Sequence, residues 1–413
     1  MAFAQEDWVA LNIVVIGAGQ AAASFAAKMR ALDPGCAITI VGDEPSLPYQ
    51  RPPLSKKYMT GEMTADRLLL RPQEWYTEAG VTCVLSDAAM TVSRPEKTVT
   101  LSDGTVLPYD KLVFATGSTP RHLPDAAGGN LDGVYILRNL ADANRLALEM
   151  KPSRRVLVVG GGYIGLEAAA VAAMLGLEVH VAEMASRILQ RVAAPETSDY
   201  FRHLHQSHGV AIMEEKALDR LVGEDGRVVR AQFKDGTALD VDFVLVGIGV
   251  SPNEQLAKDA GLEIANGIAV DNTAQTSDPD IYAAGDCASF EFRGQRIRLE
   301  SVQNAIDQGE IAARAIAGET VEYRPVPWFW SDQYDVKLQI AGLNMGYDRT
   351  VLRPGPREGA VSIWYFAGPH FIAVDSINDS KTYMFGKRML ETGRNLTPEQ
   401  AADPDFDLKA LIR

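Results

Sequence analysis

Val156-Leu157-Val158-Val159-Gly160-Gly161-Gly162-Tyr163-Ile164-Gly165-Leu166-Glu167 is the stretch on which the fold turns. A β-branched run stops at Gly160-x-Gly162-x-x-Gly165 and an alanine-rich run follows, the pattern of a buried strand, a tight turn and a helix start. Gly160 permits the turn, Gly162 lets the backbone approach a pyrophosphate, Gly165 lets helix pack on strand, and the helix N-terminus meets negative charge. Ile164, inside the same turn, joins the candidate cofactor contacts. The next strand, Glu178-Val179-His180-Val181, delivers Glu183, an acidic side chain placed to accept from a ribose 2′-OH. The stretch predicts a dinucleotide cradle.

The pattern occurs twice. Asn12-Ile13-Val14-Val15-Ile16 runs into Gly17-Ala18-Gly19-Gln20-Ala21-Ala22, with a helix to about Leu32, a break at Asp33-Pro34-Gly35 and a second strand ending at Asp43-Glu44. Ala22 stands where the third glycine would, which the packing role tolerates. Two complete cradles cannot both serve one dinucleotide, so two nucleotide cofactors are expected.

At 413 residues, two or three domains are expected. Hydrophobic content of 46% and charged content of 23% fit a globular enzyme. A net charge of −14 speaks against general binding of nucleic acid or anionic membrane. Residues 1–7 carry no basic leader, and no run approaches the roughly 18 apolar residues of a membrane span, so a cytoplasmic location is expected. Cys36, Cys83 and Cys287 are scattered, which argues against a disulfide framework or a metal–thiolate site and for three small buried hydrophobes. His203, His205 and His208 do not share one helical face, so no metal and no proton shuttle are assigned to them.

Along the rest of the chain, Leu47 to Lys57 is too proline-rich for a strand or helix and reads as an ordered loop. It is either an ordinary connection or one that supplies Arg51 to a pyrophosphate and Lys56 to a flavin ring. A hairpin turn at Ser102-Asp103-Gly104 precedes the strand Lys111-Leu112-Val113-Phe114, and Ala115-Thr116-Gly117 follows as backbone passing close to a ligand. Arg138 to Met150 looks helical. Phe243 to Gly249 copies the strand that ended in Ala-Thr-Gly, which suggests that the second cradle domain is inserted into the first. Tyr282-Ala283-Ala284-Gly285-Asp286 gives a short buried strand and an exposed Gly-Asp. From Tyr323 the character changes to alternating strands near Val336 to Ala341, Val361 to Phe366 and Phe371 to Ser376, then a helix from Ser380 to Thr392, a short helix near Pro398 and an acidic tail. The expected domains are 1–117 with 247–323, 118–246, and an α+β domain over 324–413.

Several blocks occur in an order that resembles one family: Gly17-x-Gly19-x-x-Ala22, Leu47-Pro48-Tyr49-x-Arg51-Pro52-Pro53-Leu54-Ser55-Lys56, Ala115-Thr116-Gly117, Gly160 to Glu167, Tyr282 to Asp286, Glu300-Ser301-Val302-Gln303-Asn304-Ala305 and Phe329-Trp330-Ser331-Asp332. Together they resemble the oxygenase-coupled, NADH-dependent ferredoxin reductases, the putidaredoxin reductase-like group that includes reductase components of aromatic-ring dioxygenases. The resemblance spans nearly the whole chain. It implies an α/β, glutathione-reductase-like flavoprotein with two dinucleotide-binding domains, one for FAD and one for NADH, and a C-terminal α+β domain that helps cover the flavin. Carried over, Gly17, Gly19 and Ala22 cradle the FAD pyrophosphate, and Asp43 with Glu44 meets the adenosine ribose. Arg51, Lys56, Ala115, Thr116, Gly117 and Val302 contact the cofactor, Asp286 binds the ribityl chain, and Trp330 lies by the isoalloxazine. Gly160, Gly162, Ile164, Gly165 and Glu183 hold NADH. Glu167 points toward the nicotinamide and is a candidate partner of Lys56.

The chemistry is also read from what is missing. Disulfide-reducing relatives pass electrons from flavin to paired cysteines, and this sequence has no such pair. The expected route is hydride from NADH to FAD, then single electrons to a [2Fe–2S] ferredoxin that feeds a haem monooxygenase or a ring-hydroxylating dioxygenase. Glu183 would repel a 2′-phosphate and favours NADH, whereas Arg187 could accept that phosphate. Arg293, Arg296, Arg298, Lys381, Lys387 and Arg388 are candidates for a docking patch or for an ordinary solvated face. Two other readings stay open, an NADH oxidase or disulfide reductase and a redox-sensing flavoprotein similar to the apoptosis-inducing flavoproteins.

Overall fold

The computed structural model describes residues 10–412, in two compact units; the leader expectation for residues 1–7 lies outside them. The first unit comprises residues up to Gln50, Asp66–Thr119 and Ser251–Pro325. Its centre is a parallel five-stranded sheet in the order Ile281–Ala283, Lys111–Phe114, Asn12–Ile16, Ala37–Gly42, Val81–Leu85. Both faces of a parallel sheet are covered, so its strands read as unbroken apolar runs, and Ile13, Val15, Leu112 and Val113 are fully buried. Strand order reverses beside Asn12–Ile16, where α/β sheets open a crevice at the carboxyl ends of their strands. The helices Gln20–Leu32 and Val302–Ile316 pack together, and Gly309 permits the close approach: a Cβ there would lie 2.6 Å from the Ala21 carbonyl oxygen.

The second unit comprises Arg51–Ala65, Pro120–Val250 and the chain from Val326 onward. A second parallel sheet runs Ala211–Met213, Glu178–Ala182, Arg155–Val159, Phe243–Val246, Val134–Tyr135. The helix Tyr163–Met174 is buried nearly all round, from Gly165 to Ala172, which accounts for its lack of a polar face. An antiparallel sheet follows in the order Trp328–Gln333, Val336–Gly342, His370–Ile377, Val361–Ala367, Arg349–Pro354, with the helix Ser380–Thr392 against it. Its core contains Trp364, Phe366, Val374 and Met389.

The elements differ from the sequence reading in several places. The helix expected from Arg138 is Leu140–Ala147, because Asn139 and Asp142 form a capping box that fixes its start. The edge strand Arg349–Pro354 was not anticipated. The tail ends in a 3₁₀ turn, Leu408–Ile412, and Arg353 holds the chain before it by donating to the carbonyls of Gln400, Ala401, Asp403, Pro404 and Phe406. Arg51–Ala65, grouped by sequence with the first cradle, packs in the second unit, where Ser55 and Lys56 both bond Glu167.

Candidate functional site

The first cradle is built from local necessities. Gly17 has φ +111°, and a Cβ there would lie 2.1 Å from the Ala115 carbonyl oxygen, so only glycine lets the turn pass under Ala115-Thr116-Gly117. Its N–H donates to the Val41 carbonyl at 2.7 Å. Gly19 faces open space and is the N-cap of Gln20–Leu32, with no side-chain cap, so the first N–H groups of that helix point outward without a side-chain acceptor. Ala22 is buried. Asp43 is exposed at the end of the second strand, and Glu44 accepts from Tyr49 Oη at 2.6 Å. Thr116 Oγ1 donates to the Asn253 carbonyl at 2.7 Å, and Asn253 Nδ2 donates back to the Thr116 carbonyl at 2.8 Å. Asp286 accepts from Ser118 Oγ at 2.8 Å. Val302 opens a helix capped by Ser301, whose Oγ accepts from the Asn304 N–H. An uncapped helix end, an open glycine and acidic groups after the second strand fit the pyrophosphate and ribose of a dinucleotide.

The second cradle repeats the first. Gly160 has φ +108°, and its Cβ would meet the Gly247 carbonyl oxygen at 2.4 Å; its N–H donates to the Ala182 carbonyl at 2.8 Å. A Cβ on Gly165 would lie 2.3 Å from the Gly160 carbonyl oxygen, which is the helix-on-strand contact expected of the third glycine. Gly162 faces open space and caps Tyr163–Met174 without any side-chain bond, and Ile164 beside it is 49% exposed. Glu183 is already engaged: Oε2 accepts from the Gly161 N–H at 2.8 Å and Oε1 from the Ala185 N–H at 2.7 Å. Arg187 is engaged as well, donating to Ser198 Oγ at 2.5 Å and to the Ala193 carbonyl at 2.9 Å, so here it braces the following loop.

One turn into that helix, Glu167 is 5% exposed and its carboxylate takes three side-chain donors. Oε2 accepts from Lys56 Nζ at 2.7 Å and from Ser55 Oγ at 2.8 Å, and Oε1 accepts from Ser331 Oγ at 2.8 Å. A buried carboxylate needs such partners, since an unpaired charge in a low-dielectric interior is costly. Glu167 is thus a buried, paired carboxylate and not a solvated helix residue. Ser331 Oγ in turn accepts from Gln333 Nε2 at 3.1 Å, and Gln333 Oε1 lies 2.8 Å from His205 Nε2. Burial lowers the His205 imidazole to about 4, so the ring is neutral. Sequence spacing missed Ser55, Ser331, Gln333 and His205 in this cluster, because the contacts cross from one segment to another.

Trp330 is half-buried on Trp328–Gln333, with ring centroids 5.6 Å from Trp328 and 6.4 Å from Phe329. Phe329 lies 5.1 Å from Tyr163 at the start of the cradle helix. Arg51 Nη1 donates to the Arg138 carbonyl at 3.1 Å. All three thiols are free; Cys36 and Cys287 are buried and Cys83 is half-buried, so the expectation of three buried hydrophobes is corrected at Cys83. Burial raises all three, Cys83 to about 11, which keeps them protonated and poor nucleophiles. Among the described residues no group of three or more His, Cys, Asp or Glu could hold a metal, and no helix is long and apolar enough to cross a membrane.

The suggested docking cations are largely committed elsewhere. Arg296 donates to the Val270 and Ser289 carbonyls, and Arg298 pairs with Glu300 at 2.7 Å. Lys387 and Arg388 share Glu391 at 3.5 and 3.3 Å.

Comparison with known proteins gives two family matches: Pyridine nucleotide-disulphide oxidoreductase over residues 11–309 and Reductase C-terminal over residues 328–412. The chain is 41% identical over 404 residues to rhodocoxin reductase of Rhodococcus erythropolis, covering 97% of this chain and 94% of that protein. It is 37% identical over 409 residues to the ferredoxin–NAD(+) reductase component of the anthranilate 1,2-dioxygenase system of Burkholderia cepacia, covering 97% and 98%. A crystal structure of the covalent putidaredoxin reductase–putidaredoxin complex matches with a TM-score of 0.94 at 37% identity, over 97% of this chain and 98% of that one.

Proposed function

We propose the following activity from the premise that the chain belongs to the pyridine nucleotide-disulphide oxidoreductase family, with the C-terminal domain of its ferredoxin-reducing branch. The protein is an NADH-dependent ferredoxin reductase. It takes hydride from NADH and passes single electrons to a [2Fe–2S] ferredoxin that serves an oxygenase, either a haem monooxygenase or a ring-hydroxylating dioxygenase. FAD, when bound, supplies the conversion of one two-electron step into two one-electron steps. The observation that carries the reading is a cradle built twice, with both helix ends uncapped, in a chain whose three thiols are separate and held protonated.

The chain's own residues bind, orient and exclude. We assign 1–117 with 247–323 to FAD, 118–246 to NADH, and 324–413 to the accessory α+β domain. Gly17, Gly19, Ala22, Asp43, Glu44, Arg51, Ala115, Thr116, Gly117, Asp286 and Val302 are assigned to FAD. Gly160, Gly162, Ile164, Gly165 and Glu183 are assigned to NADH, with Glu183 acting first as the brace of its own cradle. Glu167 fixes the Lys56 ammonium, and Lys56 and Trp330 are assigned to the flavin ring. Hydride transfer depends on orientation, which a buried, triply bonded carboxylate enforces. Arg187 is not available to a 2′-phosphate in this arrangement, which supports NADH over NADPH. A cytoplasmic location accords with the scattered, unpaired cysteines.

The test is NADH-dependent reduction of a panel of purified ferredoxins with cytochrome c as readout. Cytochrome reduction that requires a [2Fe–2S] ferredoxin is expected. Equal NADH consumption with oxygen alone would favour the oxidase reading instead.

A further inference from the structure

The Lys56–Glu167 pair does not end at Ser331. A continuous chain of side chains continues from it through the second unit, ending at half-buried Tyr334: Glu167, Ser331, Gln333, His205 and Tyr334. Ser331, Gln333 and His205 are at most 1% exposed, so water does not compete for their bonds. Each link fixes the next, because every member has a limited set of donors and acceptors.

Tyr334 Oη lies 3.2 Å from His205 Nδ1, and Gln333 Oε1 lies 2.8 Å from His205 Nε2. A neutral imidazole has one N–H, and a carbonyl oxygen only accepts, so the proton sits on Nε2 and Nδ1 accepts from Tyr334. His208 stacks on the Tyr334 ring at 3.7 Å and steadies that phenol. With Oε1 held by His205, the Gln333 amide presents Nε2 to Ser331 Oγ at 3.1 Å. Ser331 is then left with its proton directed at Glu167 Oε1. Were the His205 proton on Nδ1, the amide would turn over, Ser331 would donate to Gln333, and Glu167 Oε1 would lose its donor.

We propose that His205 is a positioning residue for the reaction: through Gln333 and Ser331 its Nε2–H tautomer sets the Ser331 proton on Glu167 and so holds the Lys56 ammonium in place. The inference rests on the reading that Lys56 serves the flavin, but its first readouts do not. The FAD-loaded enzyme is labelled with ¹⁵N-histidine, and the His205 ring, assigned by its loss in His205→Gln, is expected to show the Nε2–H tautomer. An Nδ1–H ring overturns the proposal, whatever the variants do.

Competitive acetylation of the holoenzyme, read at the Lys56 peptide by mass spectrometry, supplies the second readout. Lys56 should react about fivefold faster in His205→Leu and Gln333→Met than in the wild type, as expected for residues of one hydrogen-bonded network. It should return to the wild-type rate in His205→Gln, whose amide restores an N–H near the Nε2 position. Unchanged Lys56 reactivity in folded His205→Leu and Gln333→Met overturns the proposal. If reactivity rises while NADH reduces the flavin at the wild-type rate, the hydrogen-bonded chain stands and the assignment of Lys56 to the flavin fails.

Discussion

Replacing Glu167 by alanine tests the link between packing and turnover. The change removes the acceptor of Lys56 Nζ, Ser55 Oγ and Ser331 Oγ at once. Ser331 is fully buried, and leaving its hydroxyl unsatisfied costs about 1–3 kcal/mol. Lys56 has a side chain 17% exposed and recovers part of its hydration by turning outward, so the loss sits near the lower end of the ~3–5 kcal/mol seen when a buried pair is broken. That movement displaces the ammonium by more than an ångström, a misplacement that costs on the order of 10²-fold in rate where orientation governs the step. Glu167→Ala should therefore slow anaerobic reduction of the flavin by NADH about 100-fold in stopped flow, by the same argument. The flavin content should stay at the wild-type level, because Gly17, Gly19 and Asp286 are untouched. Glu167→Gln keeps one acceptor oxygen and should fall between the two. Wild-type flavin reduction in a folded Glu167→Ala protein would refute the role given to the pair.

Other outcomes follow from the same geometry. Gly160→Val places a Cβ against the Gly247 carbonyl oxygen, so it should abolish NADH binding by equilibrium titration while FAD stays bound. Glu183→Ala removes the brace on the Gly161 and Ala185 N–H groups, and should weaken NADH without improving NADPH, as read from KM for both cofactors. Improved NADPH use would show that repulsion dominates. Asp375 and His205 give opposing pH dependences of stability. Burial raises Asp375 from 3.8 to about 6, so the folded state binds the extra proton and this contribution to stability falls as pH rises from about 4 to 6. Burial lowers His205 from 6.5 to about 4, so the unfolded state binds the extra proton and stability rises with pH over nearly the same window. Each contribution is on the order of 3 kcal/mol and the two oppose one another. Asp375→Asn should unmask the histidine, giving urea-unfolding stability that climbs with pH between about 4 and 6; a flat profile in that variant would contradict the assignment.

Much of this was legible in the sequence because both cradles are local. A strand, three small residues and a helix start lie within a dozen positions, and the glycines are dictated by carbonyl oxygens that follow from parallel-strand geometry at Ala115 and Gly247. Glu167 and Lys56 could be named as a candidate pair from the order of motifs. The rest of their cluster could not, because His205, Gln333 and Ser331 reach it only when the antiparallel sheet packs on the cradle helix. His205 illustrates the limit: beside His203 and His208 it reads as a failed metal motif, whereas burial makes it a neutral member of a hydrogen-bonded chain. Glu183 and Arg187 show a related gap. Their charges alone suggest groups for a ribose and its phosphate, whereas in the structure two backbone N–H groups hold Glu183, and a hydroxyl and a carbonyl hold Arg187.

Electron bookkeeping addresses the central claim most directly. In an anaerobic titration of the FAD-loaded enzyme with NADH, followed by addition of oxidised [2Fe–2S] ferredoxin, one equivalent of NADH should bleach the flavin fully. Two equivalents of ferredoxin should then restore its oxidised spectrum. A requirement for a second equivalent of NADH per flavin, with protein thiols appearing as it is consumed, would place a redox disulfide in the path and contradict the account.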